Sequence, residues 1–173
     1  MSGINTIIFY AKQLFLEIEH GNESEANFMS FELGILQVVM TIVSGVLLDN
    51  FGRRCLMLFG HTIIVGSLLM GYWFAEQKDI SPSLIVLIVF SHIIGFSLSM
   101  GPIALLYIAE ILENISPMVM LLWFETILVA MFSDYMITLM GLSHTFLLYA
   151  IISACCLLYL CVNMKETKGM NKR

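Results

Sequence analysis

The sequence predicts an all-α polytopic membrane protein with six transmembrane helices. Of its 173 residues, 59% are hydrophobic and only 12% are charged, which is more apolar side chain than the surface of a soluble domain tolerates. Several apolar runs approach the roughly 20 residues that cross a hydrocarbon core about 30 Å thick. These runs lack the alternation of apolar and polar residues that marks the strands of a membrane barrel. Helices are therefore expected, because they satisfy their own backbone hydrogen bonds in lipid.

The six predicted spans form a single domain over residues 1–173. The spans cover approximately residues 3–16, 31–48, 55–75, 84–109, 118–141 and 144–163. The first span is too short to match a bilayer. It is expected to be either an interfacial helix or the end of a span that begins before this sequence. An acidic stretch, residues 17–32, follows it and is expected to form a solvated loop outside the membrane.

The basic residues predict the orientation of the spans, because Lys and Arg accumulate in cytoplasmic loops. Lys12 and Lys78 fall on one side of the predicted membrane. The other six basic residues fall on the opposite side: Arg53, Arg54, Lys165, Lys168, Lys172 and Arg173. This bias predicts that both termini are cytoplasmic. We expect the lipid bilayer that surrounds the chain to be the plasma membrane.

The turn between the second and third predicted spans combines charges with a glycine, in the stretch DNFGRR at residues 49–54. A tight turn needs a permissive residue, which Gly52 supplies. Arg53 and Arg54 begin the next span and are expected to reach a carboxylate, since an unpaired charge near the bilayer is costly. Asp49 and Glu110 are the two candidates. A simpler interpretation is that the arginines only anchor the topology.

Two acids lie inside the fifth predicted span, Glu125 and Asp134. An acid within the membrane suggests a function, here a proton or cation site facing a cavity. The alternative is that Glu125 faces a neighbouring helix and Asp134 lies near the outer interface. The sequence has no zinc-type pair of cysteines and no HExxH motif. We therefore expect no enzyme activity, no metal, no cofactor and no nucleic-acid partner.

Four separated stretches occur in one order: SGINTIIFYAKQLF, GILQVVMTIVSGVLLDNFGRRCLMLFG, GPIALLYIAEIL and KETKG. Together they resemble the C-terminal half of the sugar (hexose) porters of the major facilitator superfamily. The resemblance covers nearly the whole chain. It implies that the six spans are helices seven to twelve of that fold, and that the chain transports a hexose-like sugar by alternating access.

The resemblance also implies roles for individual residues. Asn5 matches an asparagine that binds sugar hydroxyls, Tyr10 matches a tyrosine of the outer gate, and Gln37 stands where the family has a sugar-contacting asparagine. Amide side chains suit this task, because they donate and accept hydrogen bonds without carrying a charge. The implied charge network of the inner gate comprises Asp49, Gly52, Arg53, Arg54, Glu110 and Glu166.

The sequence also departs from the family pattern. Leu105 replaces a tryptophan that closes over the sugar, Ser97 replaces a sugar-binding glutamate, and Trp123 comes earlier than the family's eleventh-helix tryptophan. The family's N-terminal half is absent, although the substrate lies between the two halves. The chain is therefore expected to be a fragment of a longer transporter, or a half that works with a separate N-terminal half or another transporter chain. The alternative is a non-transporting or degenerate membrane subunit, and an unrelated six-span carrier ranks below both.

Overall fold

The structure, a computed structural model, describes residues 3, 4, 7, 23–77 and 82–166, with backbone alone for Pro82 and Asp134. The described part contains helices and no strand. The helices are α1 (Glu23–Phe51), α2 (Arg53–Ala75), α3 (Pro82–Leu98), α4 (Pro102–Ile111) and α5 (Ser116–Asn163). Of the first predicted span, only Gly3, Ile4 and Ile7 belong to the described residues.

A single residue, Gly52, separates α1 from α2. Its φ of 85° and ψ of 167° lie in a region that is essentially restricted to glycine. Its amide still donates to the carbonyl oxygen of Leu48 at 3.1 Å, so the last turn of α1 closes before the chain reverses. The tight turn expected at DNFGRR therefore requires a residue without a side chain at position 52.

The fourth predicted span is not one continuous helix. Residues 99–101 form a turn between α3 and α4, in which the amides of Ser99 and Gly101 donate to the Phe96 carbonyl at 3.1 and 3.0 Å. Pro102 then begins α4, a position that suits proline because the first turn of a helix needs no amide donor. The chain from Ser83 to Ile111 is nevertheless long and apolar enough to cross a membrane.

The long helix α5 is interrupted at Gly141, whose φ of 79° and ψ of 164° are not helical. We call residues 116–140 its first arm and residues 142–163 its second arm. The interruption coincides with the boundary between the fifth and sixth predicted spans. Pro117 lies in the first turn of the first arm, where its fixed φ favours helix initiation.

The core is built around α2, which packs against both α3 and α5. Its backbone touches that of α3, because a Cβ on Gly60 would lie 2.7 Å from the Gly95 carbonyl oxygen. Polar side chains join the same helices: the Ser67 hydroxyl lies 3.0 Å from His92 Nδ1, and His61 Nε2 lies 3.1 Å from the Ser153 carbonyl oxygen. Small residues and buried hydrogen bonds of this kind are typical of helix packing in membranes.

Within the described residues, five helical stretches are long and apolar enough to span a membrane: Glu23–Phe51, Arg53–Ala75, Ser83–Ile111, Ser116–Ser133 and Tyr135–Asn163. Large apolar side chains also cover their outer faces, and Ile42 and Met120, for example, are 65% and 72% exposed. Such faces require lipid or another apolar partner. The described part of the chain is thus all-helical, and the chain is a polytopic integral membrane protein, as its composition predicted.

Candidate functional site

Two features of the described residues combine polar groups with a defined geometry. The first, which we call the charge cluster, consists of Arg53, Arg54, Glu110 and Glu166. It joins the first turn of α2 to the end of α4 and to the segment that follows α5. The second is a cavity between the 99–101 turn and the first arm of α5.

Arg53 and Glu110 form the ion pair of the charge cluster. The guanidinium donates through Nε and Nη2 to Glu110 Oε1, at 3.2 and 2.8 Å. The two side chains are only 17% and 22% exposed. This partial shielding strengthens the attraction relative to a fully solvated pair. The ion pair therefore holds the N-terminus of α2 against the C-terminal end of α4.

Glu166 binds the N-terminus of α2 through backbone atoms. Its Oε1 accepts from the Arg53 amide at 2.9 Å, and its Oε2 accepts from the Arg54 amide at 3.0 Å. Gly52 is the N-cap residue of α2, and it makes no side-chain hydrogen bond to the helix. The Glu166 carboxylate, which is distant in sequence, accepts from these two amides instead. A negative charge at this end also interacts favourably with the helix dipole.

Further contacts tie the end of α5 to the same place. Arg54 Nη2 donates to the carbonyl oxygen of Cys161 in the last turn of α5, at 2.8 Å. The Lys165 amide donates to the hydroxyl oxygen of Tyr107 on α4, at 3.2 Å. Hydrogen bonds therefore join three elements at one end of the bundle: the first turn of α2, the helix α4, and the end of α5.

Asp49 does not take part in these contacts. Its side chain is exposed, and within the described part of the chain the Arg53 ion pair is made by Glu110 instead. The neighbouring residue Asn50 donates back to the Val46 carbonyl at 3.1 Å. Of the two carboxylates considered from the sequence, the structure pairs the arginine with Glu110.

The cavity measures about 310 Å³, at the small end of the range for ligand sites, about 300–1,000 Å³. Its wall includes the aromatic side chains of Phe96, Trp123 and Tyr149, together with Glu125 and Thr126. Of the described residues that line it, Glu125 alone carries a carboxyl group. An apolar, aromatic wall with few polar groups is the usual composition of a small-molecule site.

The residues expected to contact substrate are distributed unevenly with respect to this cavity. Asn5 and Tyr10 lie outside the described residues. Gln37 is half-buried on α1 and is not among the residues that line the cavity. Leu105, which stands in place of the family's tryptophan, does line it. Ser97 is buried, and its hydroxyl has no hydrogen-bond partner among the described residues.

The aromatic residues of the cavity and Thr126 were not predicted as site residues. A signal for part of this wall exists in the sequence, because Leu122, Glu125, Thr126 and Val129 follow the i, i+3, i+4, i+7 spacing of one helix face. Tyr149, on the second arm of α5, could not be assigned to the cavity in this way. Its position depends on how the chain folds at Gly141.

Comparisons with known proteins agree with the resemblance. A family model described as Sugar (and other) transporter matches residues 1–171. The arabinose-proton symporter of Bacillus subtilis is 29% identical over 175 residues, covering 96% of this chain and 37% of the symporter. The facilitated glucose transporter member 5 of solute carrier family 2 from Rattus norvegicus is 27% identical over 178 residues, covering 98% of this chain and 35% of that transporter.

The facilitated trehalose transporter Tret1 of Bombyx mori is 27% identical over 183 residues, with 98% of this chain and 35% of Tret1 covered. The chain thus spans little more than a third of the length of these relatives. Since the family model covers all but the last two of the 173 residues, the chain belongs to the sugar (and other) transporter family.

Proposed function

We propose that the protein transports a hexose-like sugar across a membrane by alternating access, and that this chain forms the C-terminal half of the transporter. The observation that carries the proposal is the family match over residues 1–171. The share of the relatives that is covered, 35–38%, is consistent with one half of a larger fold. A separate N-terminal half, or the remainder of a longer chain, completes the transporter.

The proposed architecture has six spans, which correspond to helices seven to twelve of the major facilitator fold. The five membrane-length stretches of the described residues supply spans two to six, and residues 3–16 supply the first. The basic residues favour a cytoplasmic location for the α1–α2 turn and the C-terminal tail, and six spans would then leave both termini in the cytoplasm. The plasma membrane is the proposed location.

The charge cluster is proposed to be the inner gate. Its ion pair and the bonds of Glu166 close one end of the bundle by joining α2, α4 and the end of α5. These contacts are electrostatic and partly exposed, so they can break and re-form at modest cost. Gly52 is included in this proposal because a Cβ there would lie 2.7 Å from a Glu166 carboxylate oxygen. Asp49, which makes none of these contacts, is included on the basis of the resemblance alone.

The cavity is proposed to be this half's share of the sugar site. Its aromatic residues can pack against the C–H groups of a sugar ring, and its polar groups can bond the hydroxyls. Asn5, Tyr10 and Gln37 remain proposed contacts on the basis of the resemblance. Because the substrate lies between two halves in this superfamily, the partner half would supply the remaining wall.

A second candidate function is a membrane subunit that keeps the fold without transporting sugar. The observation that favours it is Leu105 on the cavity wall, in place of the aromatic side chain that the family uses there. An aliphatic residue cannot provide the stacking surface of a tryptophan.

Sugar uptake into proteoliposomes separates the two candidates. We expect the protein purified from the membranes that express it, with any co-purifying chain, to take up radiolabelled D-glucose or L-arabinose. Val129→Phe fills part of the cavity and is expected to reduce uptake at least tenfold. Val162→Phe is the matched control, because Val162 is 81% exposed on the outer face of α5. Equal uptake by vesicles with and without the protein would favour the non-transporting subunit.

A further inference from the structure

The two neighbouring arginines of the charge cluster have different partners for their guanidinium groups. Arg53 is partly shielded and forms the ion pair with Glu110. Arg54 is exposed, and its Nη2 donates to the backbone carbonyl oxygen of Cys161 at 2.8 Å. Among the residues that the structure describes, no carboxylate forms an ion pair with Arg54, and Glu166 accepts from its backbone amide instead. A guanidinium carries several N–H donors, so most of them are available to an anion.

Arg54 lies at the level where membrane-spanning stretches end. Helix α1 ends at Phe51, α2 begins at Arg53, and α5 ends at Asn163. The bond to Cys161 places the Arg54 guanidinium beside the last turn of α5. The headgroup layer of a bilayer, which contains the lipid phosphates, begins where the hydrocarbon core ends. An exposed guanidinium at this level therefore meets phosphate groups when the protein is in a membrane.

The surface of α5 next to this bond is apolar and faces outward. Leu158, Tyr159 and Val162 lie within one turn of Cys161, and they are 68%, 67% and 81% exposed. Tyrosine is common at membrane–water interfaces. Acyl chains can bury their surface against such side chains, whereas a free phosphate ion has no apolar surface to bury. A cation beside an apolar face therefore favours a phospholipid over a soluble phosphate.

Lys165 adds a second cation near the Arg54 guanidinium. It is exposed and lies in the chain between Cys161 and Glu166, both of which bond to Arg54. The sequence continues with three more basic residues in the tail: Lys168, Lys172 and Arg173. The exposed carboxylate of Asp49, at the end of α1, opposes them with a single negative charge. Basic residues beside a membrane span attract anionic lipids, so a headgroup with a net negative charge is favoured.

We propose that Arg54 and Lys165 form a binding site for the phosphate of an anionic phospholipid, of which phosphatidylglycerol is an example. The guanidinium, held by the Cys161 carbonyl oxygen, donates paired hydrogen bonds to the phosphate oxygens, and the Lys165 ammonium contributes a second positive charge. The acyl chains lie against the outer face of α5 at Leu158 and Val162. This inference goes beyond the proposed transport function and does not depend on it, because lipid binding requires no sugar.

Native mass spectrometry in a neutral detergent measures the dissociation constants of individual lipids. The protein is used as recovered from membranes, with any chain that accompanies it. Dioleoyl phosphatidylglycerol and dioleoyl phosphatidylcholine share their acyl chains and differ in net charge, and glycerol phosphate carries the phosphate without acyl chains. We expect phosphatidylglycerol to bind about tenfold more tightly than phosphatidylcholine, and glycerol phosphate to show no measurable binding. The preference should decrease as salt is raised, since exposed charges are screened.

Substitutions locate the site. Arg54→Gln should weaken the binding of phosphatidylglycerol about tenfold, because the charge-assisted hydrogen bonds are lost, and should abolish the preference over phosphatidylcholine. Arg54→Lys keeps the charge without the planar fork and should weaken it about threefold. Arg53→Gln is the matched control: it removes the same charge from the neighbouring residue, whose guanidinium bonds Glu110, and should leave phosphatidylglycerol binding unchanged. If Arg54→Gln does not fold, Lys165→Gln tests the same site through an exposed side chain, with an expected loss of about threefold.

The results separate a specific lipid site from general electrostatic attraction. The site is overturned if the original protein binds the two lipids equally, or if Arg54→Gln, or Lys165→Gln in its place, binds phosphatidylglycerol as tightly as the original protein. Equal losses in Arg53→Gln and Arg54→Gln would also overturn it, because that pattern indicates a diffuse effect of charge. Glycerol phosphate that binds as tightly as phosphatidylglycerol would assign the site to a soluble phosphate ester instead of a lipid. If the lipid results hold while the protein transports no sugar, the transport proposal alone falls.

Discussion

Replacement of Glu166 by glutamine tests the bond between the end of α5 and the start of α2. The carboxylate accepts from the Arg53 and Arg54 amides at 2.9 and 3.0 Å. Hydrogen bonds to charged groups contribute about 1.5–3 kcal/mol, and a negative charge at a helix N-terminus contributes about 0.3–1 kcal/mol. Glu166 is exposed, which places both contributions at the lower end. Glutamine keeps one acceptor oxygen, so we expect a loss of about 1–2 kcal/mol.

Hydrogen exchange of the amides in the first turn of α2 measures this loss directly. The first amides of a helix have no acceptor within the helix itself, so their protection depends on Glu166. A change of about 1–2 kcal/mol corresponds to exchange that is about 5 to 30 times faster. The remaining protection should depend less on salt than in the original protein, because the helix-dipole contribution is screened by ions.

Glu113→Gln is the matched control for this experiment. It removes another exposed carboxylate, and within the described residues that carboxylate makes no bond to α2. Exchange at Arg53 and Arg54 should be the same in this variant as in the original protein. If Glu166→Gln leaves the exchange of these two amides unchanged, Glu166 does not cap α2 in solution and the reasoning is refuted.

Further substitutions test the turn at Gly52, the packing of α2 against α3, and the ion pair between Arg53 and Glu110. Gly52→Ala forces a side chain into a φ of 85° with its Cβ 2.7 Å from a Glu166 oxygen, and should lower the free energy of unfolding by about 2–3 kcal/mol in a detergent denaturation assay. Gly60→Ala should lower the free energy of unfolding by about 1–3 kcal/mol, because the added methyl group separates α2 from α3. Gly34→Ala is the control, since a Cβ at residue 34 would have nothing within 4 Å, and it should be neutral or slightly stabilising. Equal effects of the two substitutions would contradict the packing of α2 against α3. A double-mutant cycle with Arg53→Gln and Glu110→Gln should give a coupling energy of about 1 kcal/mol, and no coupling would mean that the ion pair is not formed in the membrane.

Much of the fold follows from the sequence because apolar length is a strong constraint in a bilayer. The turn near Gly52 was predicted from its glycine, and the boundary near Gly141 from the extent of the apolar runs; both glycines have positive φ in the structure. The interruption at residues 99–101 was not predicted, although Gly101-Pro102 marks it in hindsight. Apolar runs alone cannot show it, since the residues on both sides are equally compatible with a continuous membrane helix.

The charge cluster was easier to anticipate than the cavity. Charges near a membrane are few, so a small number of carboxylates could pair with Arg53. The sequence could not choose between Asp49 and Glu110, since that depends on which helix ends meet. The cavity depends on apolar and aromatic residues such as Trp123, which are as common on lipid-facing surfaces as in binding sites. Of its wall, the sequence distinguished Glu125 as a candidate site, and Leu105 and Trp123 only as departures from the family pattern.

The short helix α4 connects the cavity with the charge cluster. It carries Leu105 on the cavity wall and Glu110 in the ion pair with Arg53. Five residues of helix separate them by about 7.5 Å along the axis. The turn at residues 99–101 breaks the regular helical pattern between α3 and α4, with the Gly101 amide donating to the Phe96 carbonyl oxygen and the Ile103 amide to the Ser99 carbonyl oxygen. Because Leu105 and Glu110 belong to one helix, a displacement of α4 that breaks the ion pair would also move Leu105, which would link the proposed inner gate to the shape of the proposed sugar site.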